Sequence, residues 1–439
     1  MSENLYWLWL SECCSYKSHV LDRLLRCFHS PRAIYEADEA DMLAAAGECS
    51  PGERRRLCDK ELTRAQRIMD GCMMSGIGIL TYGDPAYPKR LRMIDHFPPV
   101  LYYRGKLPRF DNRLFISIVG TRRMSEYGKR MAFEIAYDLT RAGVTVVTGM
   151  ALGVDGTASA AALAAGNGGV AVLGCGVDIT YPSQHRHLME SIIRRGVVMS
   201  EFPPGSRPDA FHFPQRNRVI SGLSQGVLVI EGNENSGALI TADFAGLQGR
   251  DVFALPGNAD EVNSAAPTLL LKQGATPVTC ADDIIKVYAS LYKKDLNIFR
   301  LLKPMNVNME KVLYDYGVAA RPAPHTRAED IPVGVAQTKI SEKVKNKPIR
   351  PRQGGYCSLE ELGPLAEDPP PSPLPPALKT LNADALAVYQ AIPLDRSVSV
   401  DEICQSGFSA GTVMAALTML ELNKCVVAEA GGLYSRIAT

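Results

Sequence analysis

The residues of this chain best suited to chemistry are arginines, amides and hydroxyls set beside glycine turns, a combination that grips anions. Val119-Gly120-Thr121-Arg122-Arg123 closes an apolar run with a tight turn carrying one hydroxyl and two guanidiniums. A guanidinium presents a planar fork of N–H donors, and the start of a following helix adds unpaired N–H groups and its positive dipole end. Phe211-His212-Phe213-Pro214-Gln215-Arg216-Asn217-Arg218 sets two arginines and an amide at a helix start behind aromatic rings. Such donors and ring faces suit a phosphate chain with stackable bases; arginines tethering a loop to Glu201 or Glu231 are the competing reading. Asn235-Ser236-Gly237-Ala238-Leu239-Ile240-Thr241 opens a further helix with Ser and Gly, either an anion cradle or a plain N-cap. Thr148-Gly149 through Asp155-Gly156, and Gly174-Cys175-Gly176, place glycines where backbone can approach a ligand. Asp155 reads as a helix cap or as a general base.

Several chemistries lack their patterns. Gly174-x-Gly176 has no third glycine at 179, and no G-x-x-x-x-G-K-[ST] occurs, so the dinucleotide and P-loop signatures are missing. Gly222-Leu223-Ser224-Gln225-Gly226 matches G-x-S-x-G, but a helix precedes it and a strand follows, the reverse of a nucleophile elbow. His185 and His187 have no thiol or carboxylate at ligand spacing. The sequence therefore predicts no catalytic residue, no cofactor and no metal. Lys and Arg number 48 against 47 Asp and Glu, a net charge of +1, which excludes a polycation that finds nucleic acid by bulk charge. Any anion site must be built locally. The 11 cysteines show no Cys-x-x-Cys pair and read as reduced thiols. An acidic residue stands where a signal peptide needs basic ones, and no run reaches the roughly 18 apolar residues of a membrane span, so a soluble cytoplasmic protein is expected.

The elements that must position these residues follow from periodicity. At 439 residues the chain suggests about three domains at roughly 150 residues each. Residues 1–108 show helical spacing at Val20, Leu21, Leu24, Leu25 and Phe28, a cap at Ser30-Pro31, and an extended connector through Pro98-Pro99-Val100-Leu101-Tyr102. Residues 109–292 alternate apolar β-prone runs (LFISIV, VTVV, VAVL, VVMSEF, VLVIE, VFALP) with helices over 126–141, 158–165, 184–195, 214–223 and 238–247. Continuous apolar strands between helices predict an α/β fold, a Rossmann-like parallel sheet covered on both faces, with ligands at the carboxyl ends of its strands. Residues 293–376 read as a low-complexity, Pro-rich linker. Residues 377–439, with helices over 383–392 and 410–422 and β-prone pieces around Gly431-Gly432, predict a winged helix.

Taken together, VGTR (119–122), TGMALGVDG (148–156), AVLGCGVDITYP (171–182), SEFPPG (200–205), FHFPQRNRVISGLS (211–224) and SGALITADFAGLQGRDVFALPG (236–257) resemble the DNA-processing protein A (DprA, also called Smf) family. The resemblance spans the Rossmann-like core and reaches YPKRL before it and Gly431-Gly432-x-Tyr434 after it. It implies a helical N-terminal domain of the SAM or helix-hairpin-helix kind. It also implies a protein that binds single-stranded DNA without catalysis, loads RecA recombinase onto it, notably in natural transformation, and forms homodimers through the Rossmann-like domain. On this resemblance Gly120, Thr121, Arg122, Gly149, Arg186, Arg216, Asn217, Arg218, Ser236, Gly237 and Thr241 are the candidate DNA-binding residues. The sequence departs from many members at Leu152, where they carry Arg, and at Ser159, where they carry His. A nucleotide phosphoribohydrolase-type enzyme and a non-catalytic scaffold are the alternatives; the signature P-G-G-x-G-T-x-x-E of the former is absent. The would-be recognition helix, 410–422, holds no Lys or Arg, which points to protein contact rather than duplex reading.

Overall fold

The structure, a computed structural model, describes residues 2–14, 16, 19–302 and 304–319. Toward the C-terminus it describes 387–389, 391–393, 398–404, 408, 413, 416–417, 420, 426–429 and 433–436. Of the linker expected over 293–376, residues 320–376 lie outside the described residues, as do the turn at Gly431-Gly432 and much of the helices expected over 383–392 and 410–422. Residues 304–319 instead carry a helix, Met309–Asp315, because Leu313 and its apolar neighbours find the larger hydrophobic core to pack against. Two compact units divide the chain, Met1–Pro332 and Val333–Thr439.

The first unit opens with six helices: α1 Glu3–Cys13, α2 Val20–Phe28, α3 Pro31–Glu36, α4 Glu39–Ala46, α5 Pro51–Asp59 and α6 Thr63–Met74. Their starts follow local chemistry. Ser30 accepts the Ala33 N–H with Pro31 in the first turn, and Ser50 and Glu53 form a reciprocal capping box at α5. Helix α1 is apolar around most of its circumference and correspondingly buried, with Trp7 and Trp9 inside the layer.

Strands β1 Gly78–Thr81 and β2 Val100–Gly105, with the short helix α7 Lys89–Arg92 between them, lead into the core. The expected connector around Val100 is extended, but it is a strand. An apolar run just past two prolines finds an open sheet edge, and pairing there satisfies its backbone groups and buries Val100, Leu101 and Tyr102. The core then alternates β3 Phe115–Val119, α8 Glu126–Arg141, β4 Thr145–Thr148, α9 Val154–Ala164, β5 Val170–Val172, α10 Arg186–Arg195 and β6 Val197–Ser200. It continues with α11 His212–Leu223, β7 Gly226–Val229, α12 Gly237–Leu247, β8 Asp251–Ala254, α13 Ala265–Lys272, β9 Thr276–Pro277, α14 Ala281–Tyr288 and α15 Met309–Asp315.

The nine strands form one sheet in the order β1-β2-β6-β5-β4-β3-β7-β8-β9, antiparallel only at β1, β2 and β6. From β3 the chain moves outward through β4, β5 and β6, then crosses back to place β7 on the other side of β3. That reversal creates a crevice at the carboxyl ends of β3, β4 and β7, the place where open α/β sheets take ligands. Helices α8, α9 and α10 cover one face while α11 and α12 pack together on the other. One hydrophobic cluster runs from Leu5 to Leu313, so the helical layer and the sheet share a core.

Helix α9 starts at Val154, four residues before the expected 158, because the glycines at 153 and 156 read as loop although a helix tolerates glycine in its first turn. In the second unit, strands Val398–Ser399, Val426–Glu429 and Leu433–Arg436 form an antiparallel sheet. The short helix Val400–Cys404 accompanies it, around a core that includes Ile392, Ile403, Leu417 and Leu420.

Candidate nucleic-acid interface

At the topological switch lies an open cavity of about 440 Å³. Gly120, Thr121, Arg122, Arg216, Asn217, Ser236, Gly237 and Thr241 all line it, brought together from the ends of β3 and β7 and the first turns of α11 and α12. Gly149 lines a smaller adjoining cavity that shares Arg122, Phe213 and Arg216.

The loop after β3 is held from behind. Buried Glu231 accepts from the Ser125 N–H at 2.8 Å and its hydroxyl at 2.5 Å, and the Thr121 N–H donates to the Glu231 carbonyl at 2.7 Å. The side chain of Arg122, by contrast, is exposed, and no carboxylate among the described residues pairs with it; its guanidinium lies 5.6 Å from the Phe213 ring centroid. Arg216 approaches the same ring at 5.9 Å, and Tyr181 tilts against it at 5.5 Å. A cation with no ion-pair partner among the described residues, beside an aromatic platform, can take a phosphate and the base attached to it.

Arg216 has a different task. It is buried and donates to the carbonyls of Gly149 at 2.9 Å and Val172 at 2.5 Å, bridging the ends of β4 and β5. Gly149 is required for this: a Cβ there would stand 2.3 Å from the guanidinium. The Arg216 Nε–H also donates to the Asn217 side-chain oxygen at 3.2 Å, and the Asn217 amide donates to the Gly237 carbonyl at 3.2 Å, locking α11 to α12.

Asp155 is neither a cap for its own helix nor a free base. Its carboxylate accepts the Gly149 N–H at 2.9 Å, clamping the β4–α9 loop beneath Arg216. Burial raises its pKa, opposed by the Arg216 charge and by backbone N–H donors. Among the described residues lining this cavity it is the one carboxylate, and it is buried. Asp243, on α12, does not line the cavity. Ser224 of the G-x-S-x-G match is buried against the Ser117 hydroxyl at 2.7 Å.

Two candidates stand elsewhere. Arg218 turns to the opposite side of α11, where it forms a buried ion pair with Glu201 and lies 4.7 Å from the Tyr16 ring centroid. At 3.6 residues per turn, positions 216 and 218 are about 200° apart and cannot share a face. Arg186 is exposed on α10 and pairs with Glu190. The tethering of an arginine to Glu201 thus holds for Arg218, while Arg216 and Asn217 face the cavity. Ser236 does cap α12, accepting the Ala238 N–H at 3.3 Å, and a Cβ at Gly237 beyond it would meet open space among the described residues outside its own helix. Sequence reasoning missed Asn233 and Asn263, which line the cavity; Asn263 donates to the Arg123 carbonyl at 2.9 Å from a loop 140 residues away. No local signal marks that contact.

His185 is structural. Its Nδ1–H donates to the Met150 carbonyl at 3.0 Å, and its Nε2 is buried with no hydrogen-bond partner among the described residues. Met150 takes a left-handed φ of 54° at the end of β4, a conformation that its surroundings must enforce. Burial lowers the His185 pKa. A group held below its unfolded value gives stability that is present above about pH 6.5 and is lost as pH falls through the folded value. Thermal midpoints of wild type and His185→Gln should therefore converge as pH drops from 7.5 toward 5. Parallel profiles would show that His185 does not titrate in this way.

The chain matches the family model described as DNA recombination-mediator protein A over residues 78–289 and the DprA winged helix domain over residues 370–432. It is 31% identical to Protein Smf of Synechocystis sp., with 99% of each chain covered. It is 36% identical to the DNA processing protein DprA of Bacillus subtilis over 50% of this chain and 74% of that one. The X-ray structure of DNA processing protein A from Streptococcus pneumoniae superimposes with a TM-score of 0.57 at 29% identity, covering 65% of this chain and 98% of that chain.

Proposed function

The chain belongs to the DNA recombination-mediator protein A (DprA/Smf) family, and on that premise we propose that it binds single-stranded DNA in the carboxyl-edge cavity and delivers the strand to RecA recombinase. The observation that carries this reading is the convergence of exposed Arg122, the Phe213 ring, Asn217 and the first turn of α12 on one cavity with no exposed carboxylate among its described residues. Arg122 holds a phosphate, Phe213 stacks a base, and the Thr121 hydroxyl with the Ser236-Gly237 backbone supplies neutral donors. Gly120 and Gly149 keep the floor low, Thr241 closes it, and Arg216 shapes it from below. Arg186 and Arg218 contribute little, since each is engaged by a glutamate outside the cavity. The proposed role is binding, and Asp155, the one carboxylate among the described lining residues, is held by the Gly149 N–H.

The test is fluorescence anisotropy of a labelled single-stranded oligonucleotide at several salt concentrations, with duplex as competitor. With about four phosphates neutralised, the logarithmic salt slope should be near −3, and affinity should fall roughly fiftyfold between 50 and 200 mM salt. Arg122→Ala should weaken binding about ten- to hundredfold, the worth of one charge-assisted contact, and make the slope shallower by about 0.7. A slope near zero, or equal binding by both proteins, would overturn the reading. Filament assembly by RecA on strands coated with single-strand-binding protein then tests delivery. Sedimentation of the core tests the proposed homodimer, and removal of residues 377–439 should leave single-strand affinity mostly intact.

A further inference from the structure

We propose that the core carries a second phosphate-binding groove on the opposite, amino edge of its sheet, where Lys106, Arg109, Arg113, Arg195 and Lys294 converge around a cleft fitted to a nucleic-acid strand. The cleft holds about 890 Å³. Topology builds it. Strands β3, β4, β5 and β6 are mutually parallel and begin at this edge, so Arg113 just before β3, Thr145 opening β4, and Gly169 and Gly196 preceding β5 and β6 all meet there. Strand β2 runs the other way and ends at the same edge, which brings Lys106 and Arg109 in, while Lys294 arrives from the segment after α14.

Close backbone packing makes the floor. The Lys106 N–H donates to the Gly196 carbonyl at 2.8 Å, and a Cβ at Gly105, whose φ is 106°, would stand 2.3 Å from that oxygen. Thr145, buried beneath the cleft, has a hydroxyl with no hydrogen-bond partner among the described residues.

The charge is uncompensated. Five cations face two carboxylates, Asp111 and Asp295, and none of the five makes an ion pair among the described residues. Asp111 is partly committed, accepting the Lys89 N–H at 3.0 Å. In a chain whose net charge is only +1, such a local excess is a built feature of this edge. Three of the five are arginines, whose forks match phosphate oxygens in pairs; Arg195 also donates from one Nη to the Leu163 carbonyl at 3.2 Å, which anchors it at the rim. Tyr292, held through its hydroxyl by the Gln225 amide, adds a fixed ring for a base. These features favour a nucleic acid over an acidic peptide. The inference does not depend on the carboxyl-edge cavity, from which the sheet separates it.

The experiment titrates a labelled oligothymidylate with wild type, Arg122→Ala, Arg109→Glu/Arg113→Glu and the triple variant, between 50 and 200 mM salt. Charge reversal at Arg109 and Arg113 should lower affinity at least tenfold at 50 mM salt. It should also make the salt slope shallower by about 1.4, about 0.7 for each of two lost phosphate contacts, in both backgrounds. Lys294→Glu, on a separate segment, should act in the same direction. Arg54→Glu/Arg55→Glu, on exposed positions of α5, controls for general charge and should change little. Unchanged unfolding midpoints confirm that the exposed positions leave the fold intact. A further arm adds inorganic pyrophosphate or thymidine monophosphate. A midpoint raised in wild type but not in the Arg109/Arg113 variant identifies a free phosphate compound as the ligand and upholds the phosphate site. The inference is overturned if affinity and slope do not change and neither small phosphate acts, if the α5 control loses as much, or if polyglutamate binds the groove and the oligonucleotide does not. Loss on charge reversal with none in Arg122→Ala would sink the cavity reading and leave this one standing.

Discussion

Arg216→Ala is expected to destabilise the sheet-containing unit by about 3–5 kcal/mol and to abolish single-strand binding at the same time. Two charge-assisted hydrogen bonds, to the Gly149 and Val172 carbonyls, disappear and leave those acceptors unpaired inside the protein. Asp155 then loses the cation that opposes its burial. The pH dependence distinguishes this from lost packing. The folded pKa of Asp155 is already raised by burial and rises further without Arg216, so the variant gains a stability cost as pH climbs from about 4 through that folded value. The deficit against wild type should be smaller at pH 4 than at pH 7, read as denaturant midpoints across that range. A deficit independent of pH would show that Asp155 and Arg216 are not coupled. Arg216→Lys keeps the charge without the fork, and should recover the pH dependence better than the binding.

The second large effect lies on the other side of α11. Side chains of Arg218 and Glu201 are 4% and 8% exposed, and breaking such a pair strands one charge in a medium that cannot solvate it. Arg218→Met and Glu201→Leu should each cost about 3–5 kcal/mol, whereas the double variant should recover most of that loss, because a matched apolar pair removes both burial penalties. Some loss remains, since the Gln215 amide also donates to Glu201. Tyr16 packs over Arg218, so the disturbance should reach the helical layer, where both tryptophans of the chain, Trp7 and Trp9, are buried and report it by fluorescence. Additive single losses would refute the coupling. Wherever Arg218→Met remains folded, its single-strand affinity should match wild type, since its head group faces away from the cavity.

Much of this protein could be read without coordinates, and the reasons are local. Strand and helix alternate in periods of 2 and 3.6, and continuous apolar strands between helices imply a parallel sheet covered on both faces. Helix α8 occupies 126–141 as its spacing predicts, and Ser30-Pro31 starts α3 by hydrogen bonds within a few residues. Because a parallel sheet gathers its βα loops at one edge, the turns after β3 and β7 could be assigned to one site from their order alone.

Contacts between distant segments were out of reach. Arg216, Asn217 and Arg218 look equivalent as a run, and helical geometry separates 216 from 218, but only the packing of α11 decides which side meets the sheet crevice and which meets Glu201. Asp155 reads as a cap or a base until folding brings Arg216, 61 residues later, beside it and makes it a clamp. Asn263 and the five cations of the amino edge carry no motif, because their proximity arises from strand order rather than from spacing. The sequence by itself determined the alternating strands and helices of the core, the parallel direction of its central strands and the edge that bears the glycine turns, since those depend on short-range sterics and hydrophobic period; β2 and α15 fell in segments read as connector and linker. Tertiary structure alone decided which charges are buried in pairs and which remain free to hold a ligand, because desolvation and Coulomb energy depend on through-space neighbours that one-dimensional spacing does not encode.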